Sequence, residues 1–159
     1  MLKTHLILLS SLILLITLPA QELARVDTVL DGDTFRLKNG EKVRLIGIDA
    51  PETNHPRKPV EYFGKEAREF SRRMLEGKEE RLEMDVQERD KYGWLLAYVY
   101  LADGMFFNAE PLKQGYAQVA TYPPNVKYME LFVKLQKDAA ENKKELWKDK
   151  AEAVNSIIA

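Results

Sequence analysis

Apolar and polar residues alternate across "TFRLK", where Phe35 and Leu37 are separated by Thr34, Arg36 and Lys38. A period of two marks a half-buried strand. "ARVDTVL" before it and "EKVRLIGI" after it read as strands too, which makes a three-stranded meander. Asn39-Gly40 supplies the hairpin turn, since both residues accept positive φ. "IDAPETNHPRKP" carries prolines at 51, 56 and 59 and reads as a loop. The period then changes. In "EYFGKEAREFSRRMLEG", Phe63, Ala67, Phe70 and Met74 recur at steps of four, three and four, and Gly77 closes the helix. "ERLEMDVQE" and "WLLAYVYLA" are two further strands joined by the turn "RDKYG". "NAEPLKQG" is a short helix with Asn108 as its cap and Gly115 at its end. After "TYPPN" a longer helix runs from Tyr128 to Trp147, with Leu131, Phe132, Leu135, Ala139 and Leu146 mostly on one face. Met129 and Leu131 are assigned to the core, and Tyr98, Tyr100, Phe106 and Phe107 to the core or a strand face. Five strands with a helix between the third and fourth, followed by more helix, predict an α+β fold: a five-stranded Greek-key barrel of the OB type with about three α-helices.

The arrangement of "VRLIGID" raises a geometric difficulty. Arg44 and Asp49 are five residues apart, so on a flat strand they point to opposite faces. Both can serve one pocket only if the strand bends, and Gly47 between them predicts that bend.

Ahead of this domain stands a lysine-bearing start and an almost wholly apolar run over residues 6–20, ending on Ala20. This is the pattern of a secretory signal peptide. The run is shorter than the ~20 residues that span a bilayer, and an uncleaved anchor is the alternative. The expected organisation is a signal over residues 1–20 and one domain over 21–159, with its core at about 26–147. Composition narrows the chemistry. There is no cysteine, which removes disulfides, thiolate catalysis and Cys-based zinc sites. The histidines are His5 and His55 alone, which argues against a multi-histidine metal site and against serine–histidine chemistry. The formal charge is −1, and loss of the signal with Lys3 makes it one unit more negative. Bulk attraction to nucleic acid is therefore not available, and any phosphate-binding surface has to be local.

The candidate chemistry lies in two acidic corners, "DGDTF" and "IDAPET". Singly, each acid has an ordinary reading. Asp31 is a turn residue before Gly32, Asp49 ends a strand, Glu52 is a loop acid, and Arg44 is a strand arginine reaching to solvent. Together, Asp33 and Asp49 could present hard oxygens to a calcium or magnesium ion. Glu52 could reach a water in the metal's shell, and Arg44 could offer a planar fork to phosphate. Those are the parts of a phosphodiester hydrolysis site.

"VLDGDTFRL", "VRLIGIDAPETNHP", "VEYFGKEAREF", "DKYGWLLAYVY" and "NAEPLKQGYAQVA" follow the order and spacing of the staphylococcal nuclease (thermonuclease) family, and the resemblance runs from about Val26 to Trp147. It implies an OB-fold, calcium-dependent nuclease acting on DNA and RNA, with single-stranded or denatured substrate preferred. It further implies calcium ligation by Asp33, Asp49 and the main-chain carbonyl of Ala50. Glu52 corresponds to the acid that orients or deprotonates water, and Arg44 to an arginine that neutralises the phosphate. Lys91 and Tyr92 correspond to holders of the neighbouring phosphate, and Tyr122 to a tyrosine packed on the base. Arg57 and Lys58 fall on a basic loop over the site, and Asp31 lies near the metal without an assigned role. One departure stands out. The family's second catalytic arginine follows "DKYG", and here that position is Trp94. Tryptophan offers no charged fork. It either packs on the barrel or forms a stacking platform for a base. Arg89, Lys91 and Arg57 are the alternatives for the missing cation. The leading expectation is a secreted or periplasmic monomeric nuclease. Its rivals are a weakened nucleic-acid-binding module and a cell-envelope interaction protein.

Overall fold

The structure, a computed structural model, describes residues 23–53 and 59–148. The signal segment, Arg57 and Lys58 lie outside the described residues. Seven strands and three helices follow one another as β1 (Leu23–Asp31), β2 (Thr34–Leu37), β3 (Lys42–Leu45), β4 (Gly47–Asp49), α1 (Gly64–Leu75), β5 (Glu79–Glu83), β6 (Leu95–Tyr100), α2 (Ala109–Gln114), β7 (Gln118–Ala120) and α3 (Met129–Glu141). Five of the strands close a barrel in the order β1-β2-β3-β6-β5, while β4 and β7 form a separate two-stranded sheet. All barrel pairings are antiparallel except β3 with β6. The expected α+β OB-type barrel is present, and its first strand begins at Leu23.

β1 belongs to two ladders, pairing with β5 through its first residues and with β2 through its last. Its register with β2 slips between Val26 and Thr28 and again between Val29 and Asp31. Such irregularities add twist and let one strand turn a barrel corner. Inward residues Val26, Val29, Phe35, Val43, Leu45, Ala97 and Val99 fill the interior and are fully or almost fully buried. α1 seals one side through Ala67, Ser71 and Leu75. The Asp-Gly-Asp turn sits directly on this helix. A side chain at Gly32 would run into the Ala50 and Ala67 methyls, and the Gly32 carbonyl accepts a 2.5 Å hydrogen bond from Ser71 Oγ.

The bend expected at Gly47 is where the third strand divides. Gly47 has φ +82°, and a Cβ there would enter the ring of Phe132 on α3. β3 runs in the barrel up to this point, and β4 beyond it pairs with β7. The break frees backbone groups that Asn108 satisfies. Its Oδ1 accepts from Val99 N–H at 2.8 Å, and its Nδ2 donates to the carbonyls of Ile46 at 2.9 Å and Ala97 at 3.2 Å. Asn108 therefore does not cap α2 with its side chain, as the sequence pattern suggested, but stitches the interior.

α3 stops at Glu141 instead of continuing to Trp147. Asn142 Nδ2 bonds back to the Asp138 carbonyl, and Lys143 and Glu145 take positive φ. The reversal brings Leu146 N–H to the Gly115 carbonyl at 3.1 Å. Met129 and Leu131, assigned to the core, lie on the exposed side of α3, where Phe132 and Ala139 face inward. Tyr98 and Phe107 are fully buried, and Tyr100 and Phe106 stack at 4.9 Å against the core.

Candidate active site

The two acidic corners meet. Asp33 ends the turn between β1 and β2, and Asp49 ends β4. Arg44, on β3, lies between them, its Nη1 paired with Asp33 Oδ1 and its Nη2 2.6 Å from Asp49 Oδ1. Asp33 is almost completely buried. Its second oxygen accepts a 2.6 Å bond from Ala50 N–H, and Thr34 Oγ1 donates to the first at 3.0 Å. Burial pushes the Asp33 carboxyl above its usual range, against the pull of Arg44, the Ala50 N–H and the Thr34 hydroxyl. Burial alone would lower the Arg44 guanidinium, but Asp33 and Asp49 outweigh it and hold it above its usual value. The bend at Gly47 is what allows one chain segment to deliver both Arg44 and Asp49 to the same place.

The loop bearing Glu52 is fixed on both sides. Thr53 donates to Asp31 through its N–H at 3.0 Å and through Oγ1 at 2.6 Å. Glu52 N–H donates to Glu61 Oε2 at 3.2 Å, and the Glu52 carbonyl accepts from Glu61 N–H at 2.9 Å. Asp31, left without a role by sequence, thus anchors the main chain next to Glu52.

Arg44 also forms part of a cleft of about 560 Å³ whose walls include Lys91, Tyr92, Leu96, Tyr122 and Asn125. One wall is the "DKYG" turn. Asp90 Oδ1 accepts from the N–H groups of Tyr92 at 2.8 Å and Trp94 at 2.9 Å, so the turn is held while Lys91 and Tyr92 stand out from it. The opposite wall carries Tyr122. Asn125 joins the two walls, donating to the Gln87 carbonyl and accepting from the Gln87 N–H, both at 2.8 Å. Sequence reasoning missed Asn125, Gln87 and Leu96. An asparagine after two prolines is an ordinary turn residue, and nothing local reveals that its amide reaches another loop.

Trp94 stands on the outer face of the barrel beside β3. Its ring lies under Lys42, with Nζ 4.7 Å from the centroid, and tilts against Tyr92 at 5.9 Å. It is not among the residues lining the cleft. Of the cations that could replace the second arginine, Arg89 is committed elsewhere, to Glu41 at 2.9 and 3.3 Å and to the Gly93 carbonyl at 2.6 Å. Lys91 does line the cleft.

No group of three or more His, Cys, Asp or Glu side chains that could hold a metal occurs among the described residues. A cation at this corner would have two carboxylates, with main-chain carbonyls and water completing its shell. Calcium takes about six to eight oxygens and tolerates irregular shells of this kind. The feature that fits the corner to a cation is Arg44 itself: one positive group satisfies both carboxylates, one of them buried. The donor set is hard and wholly oxygen, as a calcium ion requires.

Known proteins resemble the chain over most of its length. Residues 42–149 match the family model described as staphylococcal nuclease homologue. The chain is 45% identical over 126 residues to the thermonuclease of Staphylococcus hyicus and 46% identical over 125 residues to that of Staphylococcus intermedius, in each case across 77% of this chain and 74% of the relative. It is 39% identical over 127 residues to endonuclease YncB of Bacillus subtilis, across 77% of this chain and 60% of that protein. A five-stranded OB barrel, acidic corners that converge on an arginine, and these matches together make the chain a member of the staphylococcal nuclease family, and with it a phosphodiester hydrolase.

Proposed function

We propose that the protein is an exported, monomeric, calcium-dependent nuclease that cleaves DNA, RNA or both, preferring single-stranded or denatured substrate. The observation that carries this reading is the convergence of Asp33, Asp49 and Arg44 at the edge of the cleft lined by Lys91, Tyr92 and Tyr122. In it, the carboxylates of Asp33 and Asp49 and the main-chain carbonyl of Ala50 would hold the calcium ion. Calcium, when bound, would supply a Lewis acid that polarises a phosphoryl oxygen. Arg44 offers a charged fork to the phosphate as negative charge develops. Glu52, on a loop pinned by Asp31 and Glu61, orients or deprotonates the attacking water. Lys91 and the Tyr92 hydroxyl hold the adjacent phosphate, and the exposed ring of Tyr122 offers a face to a base. Arg57 and Lys58 add positive charge to the sequence that follows Glu52. Contacts of this kind address phosphates and ring faces, so base specificity is weak.

Export rests on the apolar run at residues 6–20 and the small residue that ends it. The mature chain is then the single domain 21–159. No helix among the described residues is long and apolar enough to cross a membrane.

The test is cleavage of denatured DNA by the purified chain in calcium and in EGTA. Calcium-dependent cleavage is expected. Cleavage that persists in EGTA removes the metal from the scheme, and no cleavage at any enzyme level removes the enzyme. A second reading, a nucleic-acid-binding module of low turnover, is favoured by one observation: Trp94, and no cation, stands where the family places its second arginine, and it packs under Lys42. Tight binding of DNA without measurable cleavage would select that reading.

A further inference from the structure

We propose that a groove along α1 is a second nucleic-acid subsite, gripping backbone phosphates of the substrate strand beside the Glu52 loop. The proposal rests on the nuclease reading and extends it to substrate length. The groove, of about 410 Å³, is lined by Thr53, Val60, Lys65, Arg68, Glu69 and Arg72. Thr53, the residue after Glu52, lines it and is tied to Asp31. The groove therefore adjoins the candidate catalytic corner through Thr53.

The charge of the groove is organised. Lys65, Arg68 and Arg72 are spaced by three and four, so they occupy successive turns of one helix face, about 4.5 and 6 Å of rise apart. Lys65 is exposed and makes no ion pair or hydrogen bond through its ammonium group among the described residues. Arg68 donates Nε to the Val29 carbonyl at 3.3 Å, which fixes its shaft, and its terminal nitrogens form no ion pair with a carboxylate among the described residues. The acid in the groove, Glu69, is already bound by Arg72 through two bonds of 2.7 and 2.9 Å. The groove lining therefore carries three cations against one acid, on a chain whose overall charge is −1. A shallow groove with a row of long cationic side chains suits a polyanion better than a single enclosed phosphate. Interactions of this type add affinity without reading sequence.

The experiment compares the protein with its Lys65→Glu and Arg68→Gln variants on a long single-stranded DNA and on a dinucleotide too short to reach α1. For Lys65→Glu on the long strand, KM should rise about tenfold with kcat unchanged, and the log–log salt slope of binding should shrink by about 0.7 for each phosphate no longer gripped. Dinucleotide kinetics and the melting temperature of Lys65→Glu should match the parent. Equal losses on both substrates, or none on either, overturn the groove. Fluorescence anisotropy of the labelled long strand in EGTA reads the groove without catalysis. A Kd unchanged by both substitutions overturns the proposal whatever the cleavage assay gives. Weakened binding in a protein that never cleaves supports the groove and sinks the nuclease reading alone.

Discussion

Two of the buried carboxyl groups lie at opposite ends of β1, and they differ in company. Asp33, beside the strand's end, is fully enclosed yet surrounded by Arg44, Thr34 and the Ala50 N–H. Glu80, on β5 opposite Ala24 at the strand's start, is equally enclosed, but its Oε2 has no hydrogen-bond partner. Both carboxyls sit above their ordinary range because burial penalises the charged form. For Glu80 the value is pushed up to about 7, with Lys78 pulling it down and Asp103 adding to the rise. A perturbed carboxyl therefore does not identify a site by itself. What separates the two is convergence: several elements direct donors at Asp33, and none among the described residues directs one at Glu80 Oε2.

The contrast can be broken first at Arg44. Arg44→Ala removes the partner of both carboxylates and the fork offered to phosphate, and kcat on denatured DNA should fall by about 10³ or more, as for arginines acting on phosphoryl transfer. A loss below about tenfold in steady-state assays would contradict its role at the phosphate. Next comes Trp94→Arg, which restores a cation on the turn beside the cleft. A gain in kcat of about 10²-fold is expected, somewhat below the span that such arginines contribute. No gain would mean that Lys91 or another group already meets that need.

Stability provides the other half of the comparison. The unfolded Glu80 carboxyl ionises near its ordinary 4.5, whereas the folded one holds its proton until about pH 7. As pH rises through that window the unfolded state sheds protons first and gains stability relative to the fold. The cost is complete above pH 7 and amounts to about 3 kcal/mol. Glu80→Leu should therefore stabilise the protein by about this amount at pH 8 and by much less at pH 5, read by urea unfolding at both values. Equal effects at the two pH values would mean that the carboxyl does not titrate in this range. The smallest expected effect is from Asp31→Asn. It keeps the acceptor for Thr53 but removes the charge, so the Glu52 loop should loosen and kcat fall by about tenfold, with cleavage of the loop by trypsin as an independent readout.

The sequence carried the local features of the fold because they depend on local physics. Alternation in "TFRLK", Asn39-Gly40 and Gly47 mark strand, turn and kink with nearest-neighbour chemistry, and each is found where expected. The features it did not carry depend on distant partners. The parallel pairing of β3 with β6 and the pairing of β4 with β7 join segments far apart in the chain. Asn108 reads as a helix cap until the carbonyl of Ile46 is placed beside it. Glu80 reads as one acid in a charged strand until the barrel closes over it. The end of α3 was hidden because "ENKKE" contains no glycine or proline, and the reversal uses left-handed lysine and glutamate. At the candidate site, Asp33, Asp49 and Arg44 could be named from the sequence, but their meeting depended on the bend. Asn125 could not be named at all.

That bend is braced from a distance. Gly47 turns against the face of Phe132, a residue in the last long helix. An emerging or clipped polypeptide that ends before this helix could form much of the barrel while Arg44 and Asp49 remain free to point apart. Hydrolytic competence would then arrive late in synthesis, together with the C-terminal third, which is a useful delay for a chain able to cut the nucleic acids of the cell that makes it.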